Sequence, residues 1–339
     1  MVTGVDLSVD VGGIRLKNPV LAASGTFGYG LELEPFVDPA RLGGFVTKGL
    51  TLAPRAGNAP RRIAEAPAGM INSIGLQNVG LEAFLLEKLP LLARLETAVI
   101  VNVSGNTIAE YAELAGRLDA AGSAIAAIEL NVSCPNVVRG GREFGTDPGV
   151  LFELVAAARS HTRLPLWVKL SPSVTDIAEL AAAAEGAGAD AIVAVNTASA
   201  AYVEPVWEGS RLSARILRGG LSGPGLKPIA LRAVADIRRT VRLPIVGVGG
   251  IASVSDVLEF LAIGASAVQV GTASFADPQL LERLPGQLAI ALAERGSSSL
   301  EEALGRALDG PTRDRDPGAA RHPSGGKLTP SGPLKGGER

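Results

Sequence analysis

From Leu164 to Asn196 the chain reads LPLWVKLSPSVTDIAELAAAAEGAGADAIVAVN. Residues 166–170 and 191–196 are short apolar runs without polar alternation, as expected of strands buried on both faces. Between them, residues 176–186 are rich in Ala and Leu at helical spacing and stop on Gly186. A strand, a helix and a second apolar strand make one step of a parallel α/β sheet. Outward in both directions the same unit recurs. Further strands are expected at 20–23, 45–48, 99–103, 127–131, 245–248 and 267–270, and helices at 108–121, 149–162, 228–240 and 255–263. Eight strands in this order predict a (β/α)8 TIM barrel. A doubly wound open sheet is the alternative, disfavoured by the strand count and by the lack of an early glycine-rich βα turn.

Residues 6–16 read as a short β-hairpin ahead of the barrel, at its N-terminal end. Two long excursions break the rhythm, at 51–80 and 197–225. Long βα loops of a barrel lie over its C-terminal face, where ligands bind. Residues 1–309 are expected to form one barrel domain. Residues 310–339, rich in Pro, Gly and charge and without periodicity, are expected to be a disordered tail.

Composition narrows the function classes. Of 339 residues, 47% are hydrophobic but only 4% aromatic, so the core is built from Ala, Val, Ile and Leu. A net charge of -2 and few aromatics leave neither the basic field nor the stacking platforms of a nucleic-acid binder. Cys134 is the only cysteine, which excludes an intramolecular disulfide, an iron–sulfur cluster held by this chain and a Cys-based zinc site. Residues 1–10 lack a signal-peptide pattern, and no apolar run is suited to cross a bilayer. A cytoplasmic protein without membrane association is expected.

Chemistry gathers at strand ends. The second strand ends in Thr47-Lys48-Gly49, the third in Asn102-Val103-Ser104 and the fourth in Asn131-Val-Ser-Cys134-Pro-Asn136. The fifth ends in Lys169, the sixth in Asn196-Thr197, the seventh in Gly249-Gly250 and the eighth in Gly271-Thr272. In a barrel these are mouth positions, converging on one ligand. The last two turns have the glycines and the barrel positions of a phosphate site, although tight strand-to-helix packing would also explain either one. Lys48 and Lys169 end apolar strands, where an unpaired ammonium is costly, so each either pairs, snorkels or serves a ligand. Cys134 lies in a polar loop unlike core. His161, late in a helix, and His322, in the tail, are poorly placed for proton transfer, and no metal or Walker motif is present.

These residues resemble a known family. Asn131 to Asn136 is similar to the catalytic loop of class 1 dihydroorotate dehydrogenases, in which cysteine replaces the serine of the membrane-associated class 2 enzymes. The motifs at 23–28, 46–49, 69–78 and 220–224 resemble the same family, best its type B branch, over about residues 5–292. The resemblance implies a TIM barrel that holds FMN and oxidises dihydroorotate to orotate in pyrimidine biosynthesis. Ser24, Lys48, Gly49, Asn102, Asn131, Lys169, Val195, Gly223, Gly249, Gly250, Gly271 and Thr272 would contact FMN. Lys48, Asn72, Ser73, Ile74, Gly75, Leu76, Asn131, Asn136, Asn196 and Thr197 would hold the substrate.

On that reading hydride passes from C6 of the substrate to flavin N5 while Cys134 removes the C5 proton. A thiolate can do this if its pKa falls from ~8.5 toward neutrality, which nearby cations favour. Asparagines suit the pyrimidine because each amide both donates and accepts. Type B enzymes pass electrons to NAD through FAD and a 2Fe-2S cluster, which this chain holds by no visible motif. The resemblance therefore implies an iron–sulfur flavoprotein partner around a homodimer, a heterotetramer. Residues 198–218 depart from the family pattern, which bears on the local loop and partner contacts. Two other functions remain open: a flavin oxidoreductase for a dihydropyrimidine without a carboxylate, and a non-redox barrel that binds a phosphate ligand.

Overall fold

The computed structural model describes residues 4–132, 138–139 and 142–308. Ser133, Cys134, Asn136, His322 and the 310–339 segment lie outside the described residues. The chain enters through an antiparallel hairpin, β1 (Val9–Val11) and β2 (Ile14–Leu16), and continues into β3 (Val20–Ala22) and β4 (Gly44–Val46). A second hairpin follows, β5 (Ile63–Ala66) and β6 (Gly69–Asn72). Then come β7 (Ala98–Val103), β8 (Ala127–Asn131) and the short pair β9 (Val138–Arg139) and β10 (Arg142–Glu143). The second half carries β11 (Leu166–Leu170) and β12 (Ala191–Ala194), a long hairpin of β13 (Ala198–Glu208) and β14 (Arg211–Ser222), and finally β15 (Ile245–Val248) and β16 (Ala267–Val270).

Strands β3, β4, β7, β8, β11, β12, β15 and β16 pair side by side in parallel, and β16 closes onto β3. This closed ring has no edge strand, which an open sheet requires. The expected barrel is the observed one. Both faces of each strand are buried, which is why the runs show no alternation: Val101 and Val168 face the outer cluster, while Ile100 and Trp167 face the interior.

The β1–β2 hairpin closes the N-terminal end of the barrel. Val11, Ile14 and Leu16 join the interior cluster of Leu21, Val46, Ile100, Trp167, Val193 and Val246. Gly12 lies so close to the carbonyl of Asp190 that an added Cβ would stand 2.7 Å from it, and its φ of +51° favours glycine independently.

Helices start where βα loops end, and several carry side-chain N-caps. Thr107, Asp147, Asp176 and Ser253 accept from the first-turn N–H groups of Ile108–Asp119, Pro148–Arg159, Ile177–Gly186 and Val254–Ala262. Each such cap stabilises its helix by about 1 kcal/mol and fixes where the preceding loop must end.

The two excursions are more ordered than loops. β13 pairs with β14 from Ala198↔Leu221 to Glu208↔Arg211, β14 pairs with β6, and β6 with β5, giving one four-stranded antiparallel sheet. Pro205 argues against a strand, but β13 is an edge strand, where a missing N–H is tolerated. Val203 and Ile216 face each other across the hairpin, as do Trp207 and Leu212, and all four are exposed. Among the described residues no helix is long and apolar enough to cross a membrane.

Candidate functional site

The C-terminal ends of the barrel strands and the four-stranded sheet enclose a cavity of about 1600 Å³. Ser24, Lys48, Gly49, Asn102, Asn131, Lys169, Val195, Gly223, Gly249, Gly250, Gly271 and Thr272 all line it. So do Asn72, Ser73, Ile74, Gly75, Leu76, Asn196 and Thr197. Residues scattered over nearly 250 positions therefore meet at one mouth. Cys134 and Asn136 lie outside the described residues; Asn131 and Val132 before them and Gly145 and Thr146 after them line the same cavity.

The cavity floor is a polar layer set on an apolar barrel interior. Lys169 is 3% exposed, and its ammonium donates to Ser24 Oγ at 3.2 Å and to Gln269 Oε1 at 3.1 Å. It also lies 3.6 Å from Glu129 Oε1, the only carboxylate paired with it among the described residues. Asn102, 1% exposed, donates its amide N–H to Glu129 at 2.7 Å. Its Oδ1 is buried with no partner among the described residues. An orphaned buried acceptor is costly unless a ligand supplies the donor.

Higher up, Asn196 Nδ2 donates to Asn131 Oδ1 at 3.2 Å, and the Asn131 carbonyl accepts from Tyr111 Oη at 2.7 Å. Asn72 Nδ2 donates to the carbonyl of Gly220, which ties the end of β6 to β14. Leu76 holds a left-handed φ of +55°, unusual for a side chain with a branched body. Asn78 Nδ2 keeps it there by donating to the Leu76 carbonyl at 2.8 Å. Lys48 ends the second barrel strand, its N–H bonded to the Gly28 carbonyl. Burial, and then Arg62, push its pKa below the ordinary lysine value, while Glu32 pulls it back.

At the opposite side the glycine-rich turns converge. Thr272 Oγ1 donates to Ser222 Oγ at 2.7 Å, so the ends of β14 and β16 touch. Gly250 has φ +71°, and a Cβ there would stand 2.9 Å from the Gly223 carbonyl. Asp256 braces the turn by accepting from the Ala252 N–H at 2.9 Å and from Lys227 at 2.6 Å. Bare backbone on three adjacent loops is what a phosphate needs.

Two residues of this floor are absent from the candidate set drawn from sequence, Glu129 and Gln269. Both are 0% exposed inside strands that are otherwise apolar. A charged and an amide side chain within such runs was the available signal. The cations Arg55, Arg62 and Arg218 also line the cavity and carried no periodic signal, since they lie in the two excursions.

A closed parallel barrel with a polar, glycine-rimmed cavity at its C-terminal face is the architecture of a (β/α)8-barrel enzyme. Residues 6–292 match the family model described as dihydroorotate dehydrogenase. The chain is 51% identical over 304 residues to the catalytic subunit of dihydroorotate dehydrogenase B (NAD(+)) of Trichlorobacter lovleyi, covering 90% of this chain and 99% of the relative. A protein of the same name from Pelobacter propionicus is 50% identical over 300 residues, covering 88% of this chain and 98% of that one. Its counterpart in Geobacter sulfurreducens is 49% identical over 300 residues, covering 88% and 97%. The chain belongs to the dihydroorotate dehydrogenase family.

The residues fit a flavin. Its ring edge carries one N–H between two carbonyls, the donor that Asn102 Oδ1 lacks. Lys169, which lines the same cavity, suits negative charge on the ring, and the glycine turns suit a phosphate.

Proposed function

We propose that this chain oxidises dihydroorotate to orotate, as a cytoplasmic catalytic subunit with FMN bound at the barrel mouth. One observation carries the reading. A buried cation and an unpaired acceptor form the floor of the same cavity whose walls hold Asn72, Asn131, Asn196 and Lys48. When bound, the flavin supplies the two-electron acceptor, while this chain's residues supply binding and proton transfer. Lys169, Asn102 and Ser24 hold the ring, and Gly223, Gly249, Gly250, Gly271 and Thr272 hold the phosphate. Gly49 and Val195, which bring no polar side chain, complete the ring's bed by shape alone. Lys48 meets the substrate carboxylate, and the asparagines with residues 72–76 meet its pyrimidine edge. Cys134 takes the C5 proton as the two electrons and hydrogen at C6 depart. Val132 before it in the chain and Gly145 after it line the cavity, which supports that role.

The relatives are named catalytic subunits of an NAD(+)-linked enzyme. By that likeness the electrons go to NAD through a partner subunit, and the family resemblance of the sequence motifs implies that this partner carries FAD and a 2Fe-2S cluster. The catalytic unit spans residues 1–309, with 310–339 as a tail.

Purified protein should be yellow with FMN, and dihydroorotate should bleach it without air while dihydrouracil should not. Colourless protein without flavin absorbance overturns this reading. The variant Cys134→Ala should keep FMN and lose about a hundredfold or more of the substrate-driven bleaching rate. Bleaching at the parental rate would assign the proton to another group.

A further inference from the structure

Four interior side chains form a layer at and just beneath the cavity floor: Asn102 on β7, Glu129 on β8, Lys169 on β11 and Gln269 on β16. Glu129 and Gln269 do not line the cavity and have no role in the reaction as given above. Their bonding is nevertheless directional. Glu129 Oε1 accepts from Asn102 Nδ2, and Oε2 accepts from Gln269 Nε2, each at 2.7 Å. Gln269 Oε1 then accepts from Lys169 Nζ at 3.1 Å.

A carboxylate offers acceptors only, so it decides how both amides face. Asn102 must turn its N–H group toward Glu129, which leaves Oδ1 on the side of Gly49, a cavity-lining residue, and unpaired. Gln269 must turn its N–H group toward Glu129, which leaves its carbonyl for Lys169. A purely structural interior would pack apolar groups here at no such cost.

We propose that Glu129 is a positioning residue that, with Gln269 as its relay, fixes the Asn102 acceptor and the Lys169 ammonium toward the flavin ring. This rests on the FMN reading above. Neither residue touches the ligand; both act through the side chains that do.

The isosteric variant Glu129→Gln tests the direction of bonding. It puts one donor where two acceptors stood, so either Asn102 or Gln269 must flip. A flipped Asn102 would meet the ring N–H with another donor. A flipped Gln269 would leave Lys169 facing an amide N–H. The paired variant Glu129→Gln with Gln269→Glu restores every match. The amide at 129 accepts from Asn102 and donates to the carboxylate at 269, whose second oxygen takes Lys169.

The measurement is FMN affinity of the flavin-stripped full chain, by quenching of flavin fluorescence, alongside the melting temperature of the stripped protein. The single variant should bind FMN about tenfold or more weakly, and the paired variant should return to within about threefold of the parent. A single variant that melts lower but binds FMN as the parent does would mean a structural role only, and overturns the proposal. If the single variant does not fold, the paired one decides: parental affinity supports the proposal, and a loss of about tenfold overturns it. A parent chain that binds no FMN overturns the functional reading itself, and this inference with it.

Discussion

Lys48 stands at the end of the second barrel strand with two influences acting against its charge. Burial is the larger and Arg62 the smaller, and Glu32 opposes both, with a net lowering from 10.5. A lysine with a lowered pKa loses its charge at a lower pH than an exposed one. An anionic ligand prefers the charged form, so binding should draw a proton onto Lys48 at alkaline pH. Orotate affinity should therefore fall as pH rises toward the ordinary lysine range, and isothermal titration in two buffers of different ionisation enthalpy should show the proton uptake. In Lys48→Ala affinity should drop about tenfold or more at neutral pH and lose this alkaline step. An alkaline step that persists in the variant would assign it to another group. Lys48, Lys169 and Asn102 were legible because each is polar at a strand end. Glu129 and Gln269 were not, because they sit mid-run, where an apolar average hides one inward polar position.

At the scale of elements, four strands, β8, β11, β15 and β16, fall where their apolar runs placed them. The runs at 45–48 and 191–196 extend past β4 and β12 as extended chain still bonded to neighbours: Thr47 N–H reaches Ile100 O, and Asn196 N–H reaches Leu170 O. The helix expected at 176–186 starts on its cap, Asp176, while the one expected at 255–263 starts at Val254 on the cap Ser253. The four-stranded sheet was not legible, because its pairing joins residues about 150 positions apart, Gly220 to Asn72. No local pattern encodes such a contact. This sheet gives a sharp test at Gly219, where an added Cβ would overlap the carbonyl of Asn72. In Gly219→Ala, β14 and β6 must part at the cavity wall. Far-ultraviolet circular dichroism should stay close to the parent, FMN should be retained, and the KM for dihydroorotate should rise about tenfold or more. An unchanged KM would show that the sheet does not shape the substrate site.

For the whole molecule, the β1–β2 hairpin matters beyond its own packing. With Val11, Ile14 and Leu16 seated against Trp167 and its neighbours, the described barrel is a vessel filled at its base and open at its C-terminal mouth. Whatever lies on the polar floor must arrive first and leave last. On the FMN reading, the pyrimidine then acts as a stopper over the flavin. Saturating orotate should slow FMN release from the protein, by dilution into an apoflavodoxin trap, and a release rate indifferent to orotate would require a second opening. On that reading, queueing at the mouth would make cofactor retention depend on the supply of substrate.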